Sequence, residues 1–267
     1  MPGSGVTAGR RREIHSLGAV ISVSVAGMVD ALFGVPRLAA VYDALDPDRG
    51  DLEHYAAIVR EFGAERVLDV GCGTGELTCL LASAGVQVTG VDPAAASLEV
   101  ARGKKFADRV RWIHGDATTL PPMQVELALM TGNVAQVFLT ADEWAATVRG
   151  VHAALEPGGR FVFETRIPAR RAWEEWTREH THQVRQLGDE TVEVWTELVA
   201  VQLPYVTFRA TYIFSSDGAV LTSDSTLWFR ERDEVEQSLT AAGFAVDDVR
   251  GAPDRPGKEY VFVARKL

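Results

Sequence analysis

The chain is poor in cysteine, in basic charge and in long apolar runs. Only two of its 267 residues are cysteine, Cys72 and Cys79. Neither a disulfide framework nor a metal-ligand spacing can be written with them, so a reducing, cytoplasmic setting is expected. Acidic residues outnumber basic ones and the formal net charge is −10. A phosphate backbone needs basic surface, so nucleic acid is not expected as the main partner. No apolar run approaches the roughly 20 residues that cross a membrane. Repeats and low-complexity segments are absent as well. What remains is ordinary for a folded domain, 46% hydrophobic and 24% charged.

Residues 1–30 are expected to lie outside the folded unit, as a disordered or non-native extension, leaving 31–267 as the domain. "GRRREIHSLGAVISVSVAGMVDALFG" has a basic start, an apolar middle and Ser24-Val25-Ala26 in the place of a cleavage site, the outline of a secretory signal. The other reading starts the natural chain at Met28 and makes residues 1–27 a translated upstream extension.

Residues 35–64 read as two short helices around the turn-rich Asp46-Pro47-Asp48-Arg49-Gly50. Short apolar runs then alternate with helical stretches. Strands are expected at Arg66–Val70, Val86–Val91, Val110–His114, Glu126–Met130 and Arg160–Glu164. Helices are expected at Gly75–Ala84, Ala94–Arg102 and Ala141–Leu155, the last opening on a Thr140–Glu143 capping box and ending at Pro157-Gly158-Gly159. This alternation implies a doubly wound α/β fold, a mainly parallel sheet covered on both faces, with ligands at the edge where the strands end. From Val184 to Phe229 the period changes to two, with turns at Gly188-Asp189, near Pro204 and at Ser216-Asp217-Gly218. That is an antiparallel β-meander inserted between the fifth and sixth strands of the sheet. A helix over Glu231–Ala242 and strands over Phe244–Val249 and Glu259–Ala264 complete a seven-stranded count.

"DVGCGTG", Asp69 to Gly75, joins the first strand to the first helix and reads as a ligand cradle, since glycine lets backbone approach a ligand closely. A dinucleotide fingerprint would place its third glycine at position 76, which is Glu76, and no Walker lysine is present. The pattern instead resembles the first motif of the class I, seven-stranded S-adenosylmethionine-dependent methyltransferases. The resemblance extends over roughly residues 37–267. Asp92 and Pro93, closing "VQVTGVDP", match the family's ribose-binding acid and the start of its next helix. "WIHGDATTLP" resembles the third motif, which would give Asp116 and Ala117 the adenine. "ELALMTGNVAQVF" resembles the fourth, with Thr131, Gly132 and Asn133 beneath the sulfonium. With Asp69, Gly71, Cys72, Gly73 and Gly75 these form the implied cofactor site. Tyr42, on a helix of the kind that closes over the cofactor in this fold, joins them, and Tyr55 lies on the neighbouring helix. Carboxylates at 69, 92 and 116 suit an amine, two hydroxyls and an exocyclic amine. Each also has a plainer reading as a cap or turn residue.

The resemblance implies methyl transfer from S-adenosylmethionine to a nitrogen or oxygen of a small molecule. The fourth motif lacks the Asn/Asp-Pro-Pro-aromatic signature of base-amine methylation, and Thr131-Gly132-Asn133-Val134 offers no acidic metal ligands. Residues 165–230 resemble the substrate cover of the glycine and sugar N-methyltransferases. Arg166, Trp173, Tyr212 and His182 are its candidate substrate residues, with core packing as the plainer reading of the aromatic ones. No histidine declares itself as a base. A homodimer through the meander is expected from its length and alternation. Two other readings stand beside the enzyme: a catalytically silent S-adenosylmethionine-binding protein working through partner contacts, and an RNA methyltransferase.

Overall fold

The computed structural model describes residues 20–21, 29–47 and 49–267. A seven-stranded sheet is built from β2 (Arg66–Val70), β3 (Gln87–Asp92), β4 (Arg111–His114), β5 (Val125–Met130), β6 (Leu155–Arg166), β11 (Phe244–Gly251) and β12 (Glu259–Lys266). Its order is β11-β12-β6-β5-β2-β3-β4. The run from β6 to β4 is parallel, while β12 is antiparallel to both β6 and β11. β2 and β5 are neighbours in the sheet though two other strands separate them in the chain, so the order reverses between them. At such a switch point the loops after the two strands part and leave a crevice.

Both faces of the sheet are covered. On one, α6 (Ala141–Ala154) and α8 (Arg232–Ala241) pack Trp144, Val148 and Leu239 on Phe161, Phe163 and Phe262. On the other, α3 (Gly50–Glu61) and α4 (Glu76–Ser83) bring Tyr55, Ile58, Leu77 and Leu81 against Val67, Val162 and Val261. α5 (Ala95–Arg102) follows β3. The alternation of Phe161, Val162 and Phe163 between the two cores is the period-two signature of a strand buried on both faces.

The second sheet runs β1-β10-β9-β8-β7, from Val20–Ile21, Val220–Trp228, Tyr205–Phe214, Glu190–Gln202 and Gln183–Leu187. The four long-range neighbours β7 to β10 form the expected meander, with turns where the sequence placed them. A short helix, α7 (Arg178–Thr181), leads into it, and α1 (Ala31–Gly34) and α2 (Pro36–Leu45) bridge it to the first sheet. Leu38, Val192, Tyr212 and Phe214 form the shared core, and Ser97 Oγ donates to Phe33 O.

Several expectations need correction. Most of the 1–30 extension lies outside the described residues, but Val20–Ile21 pairs in parallel with β10, and Asp30 accepts from Ser225 Oγ. α1 is a helix the sequence reading did not place. α6 stops at Ala154 rather than running to the Pro-Gly-Gly. Leu155 already pairs with Val125, and Glu156–Gly159 then bulge out before Arg160 pairs with Leu127, so strand pairing takes over before the helix breaker is reached.

Phe163 stacks on Phe161 (4.6 Å between centroids) and Phe262 (5.2 Å) and meets Trp144 edge-on, with no exposure. Phe163→Ala is expected to cost about 3–5 kcal/mol, read as a lower midpoint in urea unfolding with an unchanged slope.

Candidate active site

The glycine loop leaves β2 in the left-handed region at Gly71, Gly73 and Gly75 (φ 74°, 52° and 79°). A Cβ on Gly71 would stand 2.6 Å from Val134 Cγ2, and one on Gly75 2.7 Å from Trp112 Cη2. One on Gly73 would meet nothing within 4 Å, so the middle of the loop faces open space. Gly71 and Cys72 donate to Val91 O, and Gly73 N donates to Asp92 Oδ2 at 2.8 Å. Asp92 Oδ1 accepts from Ala94 N at 2.8 Å, just past Pro93. Asp92 is therefore both a cap for the chain entering α5 and the clamp on the loop; a carboxylate offers about four acceptor directions, so two remain for a ligand.

Asp69 is 2% exposed, and its Oδ2 accepts from Thr78 Oγ1 at 2.6 Å. No described residue gives it a cation, and burial with the nearby Asp92 pushes its pKa up to about 6. Asp116 Oδ1 accepts from Thr118 N and Oγ1, and Ala117 beside it is buried against Gly150. A ligand entering this cradle meets carboxylates and backbone amides and no lysine or arginine from the loop. That donor set fits an ammonium and sugar hydroxyls, which S-adenosylmethionine carries, and is hostile to a pyrophosphate.

α2 closes over the loop from outside. Asp43 accepts from Thr74 Oγ1 (2.5 Å) and from Lys104 Nζ (2.5 Å), and Lys104 also pairs with Glu76. Tyr42, one residue back, is half-buried against Phe33 and lies within electrostatic reach of Arg166 and Tyr212. Tyr55 points the other way, into the core under α3.

The floor is the loop after β5. Thr131 and Gly132 are accessible, and Asn133 is buried in the left-handed region (φ 61°). Around it the structure gathers four charged residues from distant parts of the chain. Glu164 Oε1 accepts from Asn133 N at 3.0 Å, and Asn133 Nδ2 donates to Glu259 Oε1 at 3.1 Å. Arg255 Nη1 donates to the same Glu259 oxygen at 2.8 Å. Arg166 donates from its backbone N and Nη1 to Gln136 Oε1, with its guanidinium over the Trp176 ring at 5.5 Å.

Of the candidate substrate residues, Arg166 lies at this floor, beside Glu259 and Gln136, while Tyr212 is buried in the core that α1 and α2 share with the second sheet. Trp173 does not: it is 2% exposed and packs edge-on against Phe229, with Val206 and Leu227 around it. His182 is exposed, 3.0 Å from Glu193 Oε1 and tilted against Trp195, and touches neither cradle nor floor. Sequence reasoning passed over Glu164, Glu259, Arg255, Gln136 and the Asp43–Lys104 pair. A carboxyl ending the apolar run "RFVFE" was the one available signal.

A concave groove of about 520 Å³ lies at the opposite edge, where the strands begin, between Arg66, Arg109, Arg111 and Gln124. It contains none of the cradle residues.

Comparison with known proteins agrees with this geometry. Residues 67–159, the cradle through α6, match the family model described as a methyltransferase domain. A protein of Geobacillus sp. (strain WCH70) assigned to the methyltransferases is 27% identical over 218 residues, 76% of this chain and 85% of that one. The cypemycin N-terminal methyltransferase of a Streptomyces species is 31% identical over 48% of this chain, which spans about half (53%) of that relative's length. A solved sugar N-methyltransferase of Streptoalloteichus sp. shares the fold at TM-score 0.71 and 23% identity, over 94% of this chain and 99% of the other. An amino pentose methyltransferase of Micromonospora echinaspora, solved with S-adenosylmethionine bound, does so at TM-score 0.67 and 24% identity, over 85% and 97%. Residues 67–159 thus carry a methyltransferase domain, and the chain as a whole shares the fold of solved S-adenosylmethionine-dependent methyltransferases.

Proposed function

We propose that the protein methylates a nitrogen or oxygen of a small-molecule acceptor held between the floor loop, α2 and the second sheet. The observation that carries this reading is the floor loop set against the glycine loop, Val134 on Gly71, with Asn133 bound to Glu164 and Glu259 next to Arg166. A helix latched to the glycine loop through Asp43 and a sheet packed behind that helix support a small acceptor rather than a polymer. The names of the solved relatives, one a sugar N-methyltransferase and one acting on an amino pentose, support nitrogen.

In this reading Gly71, Cys72, Gly73 and Gly75 cradle the cofactor, Asp69 faces its ammonium end and Asp92 its ribose. Asp116 and Ala117 meet the adenine, Thr131, Gly132 and Asn133 form the floor, and Tyr42 closes the cover. When bound, the cofactor supplies a methyl carbon made electrophilic by a positive sulfur. The chain's own task is to align the acceptor and exclude water, which is worth on the order of 7–11 kcal/mol. The domain is taken as residues 31–267, with 165–230 as the cover and a cytoplasmic setting. The net charge of −10 supports a partner other than nucleic acid. Exposed Val199, Val201 and Leu203 at the end of the second sheet support a homodimer through it.

Titration calorimetry is expected to show binding of S-adenosylmethionine and S-adenosylhomocysteine and none of NAD. Asp92→Ala is expected to weaken both sulfur ligands by about 10- to 100-fold or more, the loss of one or two charge-assisted hydrogen bonds. Absence of binding to the unaltered protein would overturn the reading.

Asp69 gives a second test. Its folded pKa of about 6 lies above its ordinary 3.8, so the folded state holds the proton longer and this residue costs stability as pH rises through that window. The cost is on the order of 2–3 kcal/mol once pH exceeds 6. Asp69→Asn is expected to gain on the unaltered protein by roughly that amount between pH 4.5 and pH 7.5 in thermal unfolding without ligand. The same substitution is expected to weaken S-adenosylmethionine binding at pH 7.5. A pH-independent difference in unfolding would show that Asp69 is not the titrating group.

A further inference from the structure

Glu164 is a buried carboxyl that no described cation reaches by a hydrogen bond or ion pair. It is 5% exposed, at the end of β6 under the acceptor space. Its Oε1 takes the Asn133 backbone N–H and, more distantly at 3.4 Å, the Asn133 Nδ2; its Oε2 takes no hydrogen bond from any described residue. Its two cationic neighbours, Arg255 and Arg166, act on it only through space and make their hydrogen bonds elsewhere. From the loop before β12, Arg255 spends Nη1 on Glu259; from its own strand, Arg166 spends Nη1 on Gln136. From β12, Glu259 faces it with like charge. Tyr42 stands across the space near Arg166. A buried carboxylate oxygen with no hydrogen-bonded cation is costly unless it stays protonated or a ligand brings a donor and charge.

Building on the proposed function, we propose that Glu164 receives the acceptor's ammonium group and takes its proton, which makes the substrate an aliphatic amine. An alkylammonium, with a pKa near that of lysine at about 10.4, arrives protonated at neutral pH and has no lone pair to attack with. One N–H bond breaks and its proton passes to Glu164 Oε2. The freed lone pair forms the new N–C bond to the methyl, and the S–C bonding pair leaves with the sulfur of S-adenosylmethionine. Burial and Glu259 raise the Glu164 pKa to about 7, where a proton acceptor at neutral pH is most effective. A phenol or alcohol brings no charge to offset the carboxylate, so the site discriminates against oxygen.

Glu164→Gln is the test, because the amide oxygen can still accept the Asn133 N–H and the fold is kept. S-adenosylmethionine binding by calorimetry is expected to be unchanged in the variant. Glucosamine and tyramine serve as probes, the second carrying an aliphatic amine and a phenol in one molecule. In the unaltered protein both are expected to be methylated on nitrogen, with kcat/KM rising through pH 7. The variant is expected to lose about 100-fold or more at pH 7 and to recover toward pH 10, where the amine deprotonates without help. Independently of turnover, the ¹³C carboxyl signal of Glu164 is expected to titrate near pH 7 and to move to lower pH when either ammonium probe is added with S-adenosylhomocysteine. Equal pH–rate profiles, methylation of the tyramine oxygen, no turnover of either amine, or a carboxyl signal indifferent to them would each overturn the assignment. Loss of cofactor binding in the unaltered protein would instead overturn the functional reading on which it rests.

Discussion

The two hydrogen bonds that Asp92 accepts, from Gly73 N and Ala94 N, hold the working edge of this molecule together. One carboxylate at the end of β3 fixes the loop leaving β2 and the entry to α5 at once. Gly71 is then set against Val134, so the loop after β5 is placed as well. Three strand ends are thereby registered to one another at the switch point, where the sheet by itself would let their loops diverge. The left-handed glycines are the condition for this arrangement, because a side chain at Gly71 or Gly75 would separate the loop from its neighbours.

The second sheet and α2 add what an open α/β edge lacks, a roof. α2 is held at both ends of its reach: Arg37 bonds to Glu190 and Asp217 of the meander, and Asp43 bonds to Thr74 and Lys104 of the first domain layer. These partly exposed pairs contribute little stability individually. Their value is geometric, since they set α2 between the meander and the glycine loop.

The fold and half of the site were legible because they are written locally. "VLDVGCGTG" and "VQVTGVDP" each carry a strand, a turn and the residue types their ligand contacts need within a few positions. The meander was legible from its period and its turn residues. What sequence could not supply is register between distant segments. Glu259 meets Asn133 because β12 runs antiparallel to β6 and sets Glu259 opposite Arg166. Nothing near position 259 announces that. The end of α6 was misjudged for a related reason: the Pro-Gly-Gly is a local stop signal, but pairing of Leu155 with Val125 is a tertiary demand that acts four residues earlier than Gly159. The burial of Trp173 was hidden because exposure, unlike helical spacing, depends on what the insertion folds against.

Asp69, Asp92 and Glu164 are all pushed toward the protonated form by desolvation, and no described cation hydrogen-bonds to any of them, although Arg255 and Arg166 act on Glu164 through space. Such an arrangement is expensive in a ligand-free protein and is tolerated where a ligand relieves it. In the proposed function, the ammonium and positive sulfur of S-adenosylmethionine would supply the missing charge. The same field has a consequence for Cys72, which sits in the glycine loop. Burial and the charges of Asp69 and Asp92 raise its pKa well above that of an ordinary thiol. Kept as a thiol, it is a poor nucleophile, so the field that would favour a cationic ligand also quiets the sulfur in the loop.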